Sequence, residues 1–453
     1  MRYFLDPFGC VKNQVDSENM MAHLDKAGWE NTPDAGLADL IIVNSCGFIE
    51  SAKQESINAV LGWRKIYPEK KILLAGCLAQ RYAKELAEIM PEADGFLGID
   101  DPALIAQTAD VIVNSTKTAE LKPASAAHLQ TGERPLLSLP GSAYVKISEG
   151  CSNRCSFCAI PLIRGGLVSR KIPDILDECR ALLKRGIVEL NIIGQDIGSF
   201  GAETADAAKQ TIAKLPELLN AVSSLEGHFW VRLLYIHPDH FPLQILDIME
   251  RDARFLPYFD IPLQHASGKI LAAMNRKGAP NGGAEKYLPL LETIRRRLPG
   301  AVIRSTFLLG FPGETEEDFA ALLDFQEKAK LDWLGCFTYS REENTAAYSM
   351  KGRVPAKTQA ARKQTIEKRQ IPITEKNMER FINQTMEVLI EEKIDSAGED
   401  GENFWLGRLY CQAPDVDGAA VIVGAEGESP QIGKFAKCSV IARRGFDLEV
   451  RLF

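Results

Sequence analysis

Short apolar runs alternate with amphipathic helical patterns in the first hundred residues of this chain. The apolar runs are DLIIVNSC (39–46), KILLAGC (71–77) and GFLGID (95–100). Helical patterns fill the intervals, from about 50 to 63 and from about 80 to 90. Strand–helix alternation of this kind is typical of a parallel α/β sheet. We therefore predict an open parallel α/β domain at the N-terminus.

The alternation resumes near residue 143 with six further strand candidates. They are 143–148, 188–193, 230–236, 258–264, 302–310 and 332–340. Helix-length amphipathic segments such as 173–186 and 314–330 lie between them. Six strand–helix units predict an incomplete parallel barrel, a partial (β/α)6 relative of the TIM barrel.

Short β patterns broken by glycine and aspartate end the chain. They are TMEVLIEE, NFWLGRLY, GAAVIVG and a last run from 433 to 453, and their spacing predicts a small antiparallel β-barrel. Residues 383–453 hold 13 acidic and 7 basic side chains, a net charge of −6. A module this acidic is a poor electrostatic match to a bare nucleic-acid backbone.

These patterns divide the 453 residues into three predicted domains. We place the N-terminal domain at 1–115, a Pro-, Ser- and Thr-containing linker at 116–140, the partial barrel at 141–372 and the small barrel at 373–453. Residues 351–380 carry nine Lys/Arg against three Glu. That run is either a solvated connecting helix or a surface that faces RNA or the ribosome.

Three cysteines follow the first barrel strand at C-x3-C-x2-C spacing: Cys151, Cys155 and Cys158. In a barrel of this type the loops after the strands build the active site. Cysteines at ligand spacing in a chain with no secretory signal indicate metal binding rather than disulfides. Three thiolates suit an iron–sulfur cluster with one iron left for a small molecule, or a zinc ion that borrows a distant ligand.

A second set, Cys10, Cys46 and Cys77, has a glycine beside each cysteine. Cys46 and Cys77 end predicted parallel strands, and Cys10 follows a weaker one. Because the carboxyl ends of such strands form one crevice, we expect the three thiols to converge on a second cluster, which the glycines would let the backbone approach. The alternative is three ordinary buried cysteines. No chemistry is assigned to the remaining four, Cys179, Cys336, Cys411 and Cys438.

The C-x3-C-x2-C loop resembles that of the radical S-adenosylmethionine enzymes, and the whole chain is similar to their methylthiotransferase family. The motifs that carry the resemblance are GCVKNQVDSE (9–18), VNSCGFIESA (43–52), AGCLAQ (75–80), ISEGCSNRCSFCAIPLIRGGLVSR (147–170), DIPLQHASGKIL (260–271), MNRKG (274–278), RSTFLLGFPGETEEDF (304–319) and FTYSREENTAA (337–347). The resemblance implies an auxiliary-cluster domain, a radical S-adenosylmethionine partial barrel and a C-terminal TRAM domain of OB-like form.

The resemblance also implies the cofactors and their ligands. Two [4Fe-4S] clusters are expected, the radical one on Cys151, Cys155 and Cys158 and the auxiliary one on the other triplet. Contacts to S-adenosylmethionine are expected at five residues, Phe157, Gln195, Asp196, Gly310 and Glu314, although glycine-rich strand ends also arise simply as tight turns. No side chain is assigned as an acid or base, because the cofactors carry the chemistry. We interpret His237 and His265 as polar core residues.

In this family one S-adenosylmethionine methylates a sulfide on the auxiliary cluster, and a second supplies the 5′-deoxyadenosyl radical. The resulting substrate radical then takes the methylthio group. The segments YIHPDHFP and YSREENTAA and the acidic last domain favour the branch that modifies the β-carbon of an aspartate in protein twelve of the small ribosomal subunit. The net charge of −8 agrees with a basic protein substrate. DPFGC departs from the Ser-Leu that usually precedes the first Gly-Cys in that branch.

Two alternatives stay open: a transfer RNA adenosine methylthiotransferase with the same chemistry, and a non-catalytic iron–sulfur factor that binds the ribosome. We expect the ribosomal protein as partner, free or within the ribosome, and a flavodoxin- or ferredoxin-like electron donor. Transfer RNA is expected as a partner only under the first alternative. No signal peptide or apolar run of about 20 residues is present, so we expect a cytoplasmic monomer without a membrane partner.

Overall fold

The computed structural model describes residues 1–99, 101–114, 133–203, 213–276, 283–394, 403–424 and 430–453. They form two compact units. The first comprises Met1–Leu137, Lys146–Glu178 and Ser340–Tyr348, and the second comprises Ser138–Val145, Cys179–Tyr339 and Ser349–Phe453. Most of the predicted linker and the end of the MNRKG motif lie outside the described residues. The domain boundaries given above stay predictions.

The regular elements follow in chain order. The strands are β1 (Arg2–Pro7), β2 (Glu30–Asn31), β3 (Leu40–Ser45), β4 (Lys71–Gly76), β5 (Gly95–Leu97), β6 (Ser142–Lys146), β7 (Ser148–Glu149), β8 (Val168–Ser169), β9 (Glu189–Ile193), β10 (Trp230–Leu233), β11 (Phe255–Asp260), β12 (Val302–Leu309), β13 (Trp333–Thr338), β14 (Thr385–Ile394), β15 (Asn403–Arg408), β16 (Ala420–Gly424), β17 (Phe435–Arg444) and β18 (Asp447–Leu452). The helices are α1 (Val11–Lys26), α2 (Glu50–Ile66), α3 (Cys77–Ile89), α4 (Leu104–Asn114), α5 (Ile160–Ile163), α6 (Ile172–Lys184), α7 (Leu215–Ser223), α8 (Gln244–Arg251), α9 (Gly268–Ala273), α10 (Leu288–Arg297), α11 (Glu316–Ala329) and α12 (Ala356–Met378).

The sheet of the first unit has the strand order β2-β1-β3-β4-β5 among the described residues, and its pairings are parallel. Helices cover both faces. Leu40 and Ile42 of β3 pack in the core under α1 and α4, whereas Ile41 and Val43 pack in the core under α2 and α3. Burial on both faces explains why β3 reads as a continuous apolar run. The predicted parallel α/β sheet is confirmed, and β2, α1 and α4 are additions to the predicted elements.

The six strands of the predicted barrel are also confirmed. Their order, β6-β9-β10-β11-β12-β13, follows the chain, and the pairings from β9 to β13 are parallel. No hydrogen-bonded pairing joins β13 to β6 in the described part of this sheet, which agrees with an incomplete barrel.

Five strands form the small barrel at the C-terminus, in the closed order β14-β15-β16-β18-β17. The predicted small β-barrel is confirmed, and its described pairings are antiparallel except that β16 and β18 run parallel. A closed ring with an odd number of strands cannot alternate in direction all the way round, so one neighbouring pair must be parallel. The last predicted run is two strands, joined by a tight turn in which Gly445 has a φ of +63°.

Each strand of the six-stranded sheet bonds through a side chain to residues 408–417, which begin with the last residue of β15. The contacts are Tyr144 to Asp415 (3.2 Å), Glu189 to Arg408 (2.6 Å), Arg232 to the Tyr410 carbonyl (2.8 Å), Tyr258 to Asp417 (2.6 Å), Arg304 to Asp417 (3.5 Å) and Trp333 to the Cys411 carbonyl (2.8 Å). Within the second unit, residues 408–417 are therefore bonded to the strands of the incomplete barrel.

Most of the basic run of residues 351–380 forms α12 (Ala356–Met378). Arg362 pairs with Glu314, Arg369 with Glu327, and Lys363 with Glu367 one turn along the helix. Pairing within the second unit favours the interpretation as a connecting helix. In the parts of the chain that the structure describes, we find no helix long and apolar enough to cross a bilayer.

Candidate metal and cofactor sites

The second set of cysteines lies at the carboxyl ends of three neighbouring strands. Cys10 precedes α1 after β1, Cys46 follows β3, and Cys77 is the first residue of α3, directly after β4. Cys10 is exposed, Cys46 is half-buried and Cys77 is buried. Because these strands are adjacent in the parallel sheet, their ends meet at one edge, as the sequence predicts.

The glycines beside these cysteines allow the segments to approach each other. A methyl group on Gly47 would lie 2.6 Å from the carbonyl oxygen of Cys77, and one on Gly9 would lie 3.1 Å from Cβ of Cys46. Gly9 also has a φ of +92°, which side chains other than glycine rarely adopt. Each of these two glycines therefore lies against the segment of another cysteine, where a side chain would not fit without movement.

Asn13 of α1 ties the same segments together, and the prediction missed it. Its buried Nδ2 donates to the Phe8 carbonyl (2.6 Å) and to the Ser45 carbonyl (3.2 Å), each next to or near a cysteine. The Cys77 thiol lies 3.7 Å from Asn13 Oδ1. The sequence signal for this role is a polar residue one helical turn after Cys10, because a polar side chain that becomes buried needs hydrogen-bond partners.

The C-x3-C-x2-C loop belongs to the first unit as well. Cys151, Cys155, Phe157 and Cys158 are all half-buried. The Cys151 amide donates to the Gly165 carbonyl (3.2 Å), and the Cys158 amide donates to the Cys155 carbonyl (3.0 Å). The first bond ties the start of the loop to Gly165, and the second forms a turn that contains Cys155 and Cys158.

The two cysteine segments touch each other within the first unit. Cys77 packs against Ala159, which follows Cys158 directly, and against Ile163 of α5, and Phe48 packs against the same cluster. Arg164 completes the contact, because its Nη2 atom lies 3.1 Å from the sulfur of Cys77. Burial raises the pKa of the Cys77 thiol to about 12, although Arg164 acts to lower it.

Four buried charges surround this contact. Lys146 pairs with Asp16 (2.5 Å) and Glu149 (2.6 Å), and Arg164 pairs with the same two carboxylates at 2.8 Å each. Burial opposes ionisation of Glu149, but Arg164 and Lys146 hold its pKa well below the usual range. No local pattern in the sequence indicates this network, because its members are up to 148 positions apart.

The residues present fit iron–sulfur ligation. Burial raises the pKa of the Cys46 thiol, and the charge of the nearby Cys10 raises it further. A bound cationic metal centre would stabilise the deprotonated thiol. Among the described residues no three His, Cys, Asp or Glu side chains are placed to hold a single metal ion. A cubane cluster gives each cysteine its own iron, which spreads the ligands further apart than one zinc ion does.

Residues 340–348, which contain most of the YSREENTAA motif, complete the first unit. Glu342 is buried and accepts from Arg81 (2.7 Å) and Lys53 (3.1 Å), both on helices of the N-terminal sheet. The Ala347 amide donates to the Ser156 carbonyl (2.8 Å) inside the C-x3-C-x2-C loop. This segment therefore joins that loop to the N-terminal sheet.

Gln195 and Asp196 follow β9 in the second unit. The Asp196 carboxylate accepts from the amides of Gly198 (3.1 Å) and His237 (3.0 Å) and from the Ser199 hydroxyl (2.6 Å). His237 itself is buried, and that burial lowers its pKa to about 3, in agreement with a neutral core residue. Asp196 shapes the loop after β9, and its contact with S-adenosylmethionine stays a prediction.

Glu314 has a similar position after β12. It accepts from the Gly310 amide (2.6 Å) and from Arg362 (2.6 Å), and His265 Nε2 lies 3.6 Å away. His265 is fully buried, as expected of a core residue. Gly310 has a φ of +74° that suits the tight turn after the strand. Contacts of Gly310 and Glu314 with the cofactor likewise stay predictions.

Comparison with known families assigns three parts of the chain. Residues 2–98 match Uncharacterized protein family UPF0004, residues 145–325 match the radical SAM superfamily and residues 382–452 match the TRAM domain.

Curated relatives align over almost the whole chain. A protein of Treponema denticola named ribosomal protein uS12 methylthiotransferase RimO is 47% identical over 98% of this chain and 99% of its own length. A protein of the same name from Syntrophomonas wolfei is 40% identical over 91% of this chain and 92% of its own.

Among solved structures, the radical S-adenosylmethionine methyltransferase TsrM from Kitasatospora setae, with cobalamin and a [4Fe-4S] cluster bound, is similar in fold. The TM-score is 0.54 at 15% identity, and the likeness covers 77% of this chain and 73% of that one.

Proposed function

This chain belongs to the ribosomal protein uS12 methylthiotransferase family, RimO, and from that membership we propose that it methylthiolates the β-carbon of an aspartate in uS12. The predicted family and enzyme class, a radical S-adenosylmethionine methylthiotransferase, are confirmed by near full-length relatives. The observation that carries the proposal is the packing of Cys77, from one cysteine triplet, against Ala159 and Ile163, which follow the other triplet in the same compact unit.

The six cysteines of these triplets would hold two [4Fe-4S] clusters, each with three protein ligands. When bound, these clusters and S-adenosylmethionine supply a 5′-deoxyadenosyl radical and a methylated sulfur. The protein's part is to hold the two ligand sets close together and to keep water away from a reactive radical. Three features serve that purpose. Asn13 bonds to the segments beside the cysteines, Gly47 lets its segment approach that of Cys77, and a buried ion-pair network fixes the loop of the other triplet; its members are Lys146, Arg164, Asp16 and Glu149.

The acidic C-terminal barrel supports a protein substrate rather than a transfer RNA. Its sequence carries 13 acidic and 7 basic side chains over residues 383–453. A ribosomal protein is strongly basic, so long-range attraction would raise its rate of association at low salt. We also propose a flavodoxin- or ferredoxin-like electron donor, a monomeric enzyme and a cytoplasmic location.

The test is anaerobic reconstitution with iron and sulfide, followed by incubation with S-adenosylmethionine, a reductant, purified uS12 and unmodified transfer RNA. Mass spectrometry of both macromolecules and quantification of 5′-deoxyadenosine are the readouts. The proposal expects a methylthio mass gain on one aspartate of uS12 and unchanged transfer RNA. The same gain on an adenosine alone would support the transfer RNA alternative.

Three variants separate the predicted roles of the cysteines. Cys151→Ala should abolish 5′-deoxyadenosine, whereas Cys10→Ala should still release it but transfer no methylthio group. Cys179→Ala is the matched control, because Cys179 is buried in α6 outside both triplets. If wild type released no 5′-deoxyadenosine, the non-catalytic ribosome-binding alternative would gain support. Normal transfer by Cys10→Ala would contradict the auxiliary-cluster assignment.

A further inference from the structure

Arg164 is the charged side chain that touches both cysteine segments of the first unit. Its Nη2 atom lies 3.1 Å from the sulfur of Cys77, and its Nη1 atom donates to Glu149 (2.8 Å), two positions before Cys151. The side chain is only 1% exposed. A guanidinium bonded to a sulfur without competing water is a strong, directional donor.

The electrostatics of Arg164 depend on the same contacts. A guanidinium keeps its positive charge in a protein interior, and the carboxylates of Glu149 and Asp16 compensate that charge here. The residue is therefore a permanent cation. Lys146 is buried beside the same two carboxylates and donates to their oxygen atoms. Arg164 and Lys146 thus differ in one respect that matters, the contact with sulfur.

We propose that Arg164 is a positioning residue that raises the reduction potential of the auxiliary cluster through its bond to Cys77. The inference rests on the proposed function, in which Cys77 is a cluster ligand. A hydrogen bond and a positive charge at a ligand sulfur withdraw electron density from the iron and stabilise the reduced state. Arg164 also fixes Cys77 relative to Glu149 and the C-x3-C-x2-C loop.

Such tuning gives the two clusters different environments within one compact unit. Arg164 donates through Nη2 to Cys77 of one triplet. Through Nη1 it donates to Glu149, which precedes the other triplet. Two clusters that share ligand type and count can then be reduced at separate potentials.

Removing Arg164 alone would leave an uncompensated carboxylate in the interior, which destabilises proteins strongly. The double variant Arg164→Met/Glu149→Gln removes one positive and one negative charge together. Lys146→Met/Glu149→Gln is its matched control, because it makes the same charge change and keeps the bond from Arg164 to Cys77.

The experiment uses full-length protein with Cys151, Cys155 and Cys158 replaced by alanine, so that only the auxiliary cluster is reconstituted. Its potential is measured by redox titration followed by electron paramagnetic resonance. At a fixed potential we expect the ratio of reduced to oxidised cluster to fall at least tenfold in the Arg164 variant relative to the control, which corresponds to 59 mV for one electron. Equal potentials in the two double variants would overturn the inference.

If the Arg164→Met/Glu149→Gln protein retains no iron, Arg164→Lys decides the question. Lysine keeps the charge but lacks the fork that reaches sulfur and carboxylate together, so the potential should fall by a smaller amount. An unchanged potential with full iron would refute the role of Arg164. Iron retained by Cys77→Ala would instead show that Cys77 is not a ligand, which is a failure of the proposed function.

Discussion

Gly47→Ala should displace Cys77 and cost the protein its auxiliary cluster. The added methyl group would lie 2.6 Å from the Cys77 carbonyl oxygen, 2.7 Å from its carbon and 2.9 Å from the Leu78 nitrogen. All three are backbone atoms at the start of α3, which cannot turn aside as the end of a side chain can. The segment that carries Cys77 must therefore move.

The magnitude follows from two opposing effects. Overpacking of a well-packed site costs about 1–3 kcal/mol, whereas replacing glycine by alanine stabilises by about 0.4–1 kcal/mol through the unfolded chain. We expect a net loss of about 1–2 kcal/mol in the free energy of unfolding. Gly62→Ala is the matched control, because Gly62 lies within α2 and no heavy atom would be within 4 Å of its methyl group. The control should be slightly more stable than wild type.

Two assays test this prediction. Urea unfolding of the metal-free protein measures stability, and iron and sulfide analysis after anaerobic reconstitution measures cluster content. Wild type and Gly62→Ala should bind about eight irons and Gly47→Ala about four, because a four-iron cluster needs its cysteine ligands in place. If Gly47→Ala bound as much iron as the control and unfolded at the same urea concentration, the steric reasoning would be wrong.

Three further predictions concern buried polar groups. Arg134→Met leaves two buried carboxylates without their partner and should lower the free energy of unfolding by about 3–5 kcal/mol in urea titrations, with a smaller loss for Arg134→Lys; equal losses would contradict the ion-pair explanation. Trp333→Phe removes the donor to a buried carbonyl and should cost about 1–3 kcal/mol by the same assay, so an unchanged urea midpoint would contradict that bond. Burial raises the pKa of Asp417 from 3.8 to about 6, so the folded state holds this proton more tightly than the unfolded state. The stabilisation is complete below the unfolded pKa of 3.8 and is lost as the pH rises through the folded pKa of about 6, so wild type should lose about 2 kcal/mol relative to Asp417→Asn between pH 4.5 and pH 7; a constant difference would contradict the raised pKa.

Local periodicity was sufficient to predict most of the elements. The runs that became β3 and β4 contain the consecutive apolar residues 40–43 and 72–75, because helices cover both faces of their sheet, and that signal is visible in a few consecutive residues. The strands of the six-stranded sheet were also predictable from local runs, because nearly all residues of β6, β9, β10, β11 and β12 are buried. The C-x3-C-x2-C spacing in residues 151–158 is also a local signal, because cysteines so close in sequence can be recognised without any tertiary contact.

The structure decided what depends on distant partners. The parallel pairing of β16 with β18 follows from closing five strands into a ring, which a single strand pattern cannot indicate. Arg134 falls within the linker that the sequence predicts, yet in the structure it is buried between Glu18 and Glu178.

The sequence by itself determined the fold class, the family and the two cysteine triplets, because each of these leaves a repeated or closely spaced pattern in the chain. Only the tertiary structure placed Arg164 against Cys77 and closed the network with Asp16 and Glu149. Those contacts join residues far apart in sequence. Their geometry is set by the packing of α1, the C-x3-C-x2-C loop and the start of α3, and no local preference of the backbone encodes it.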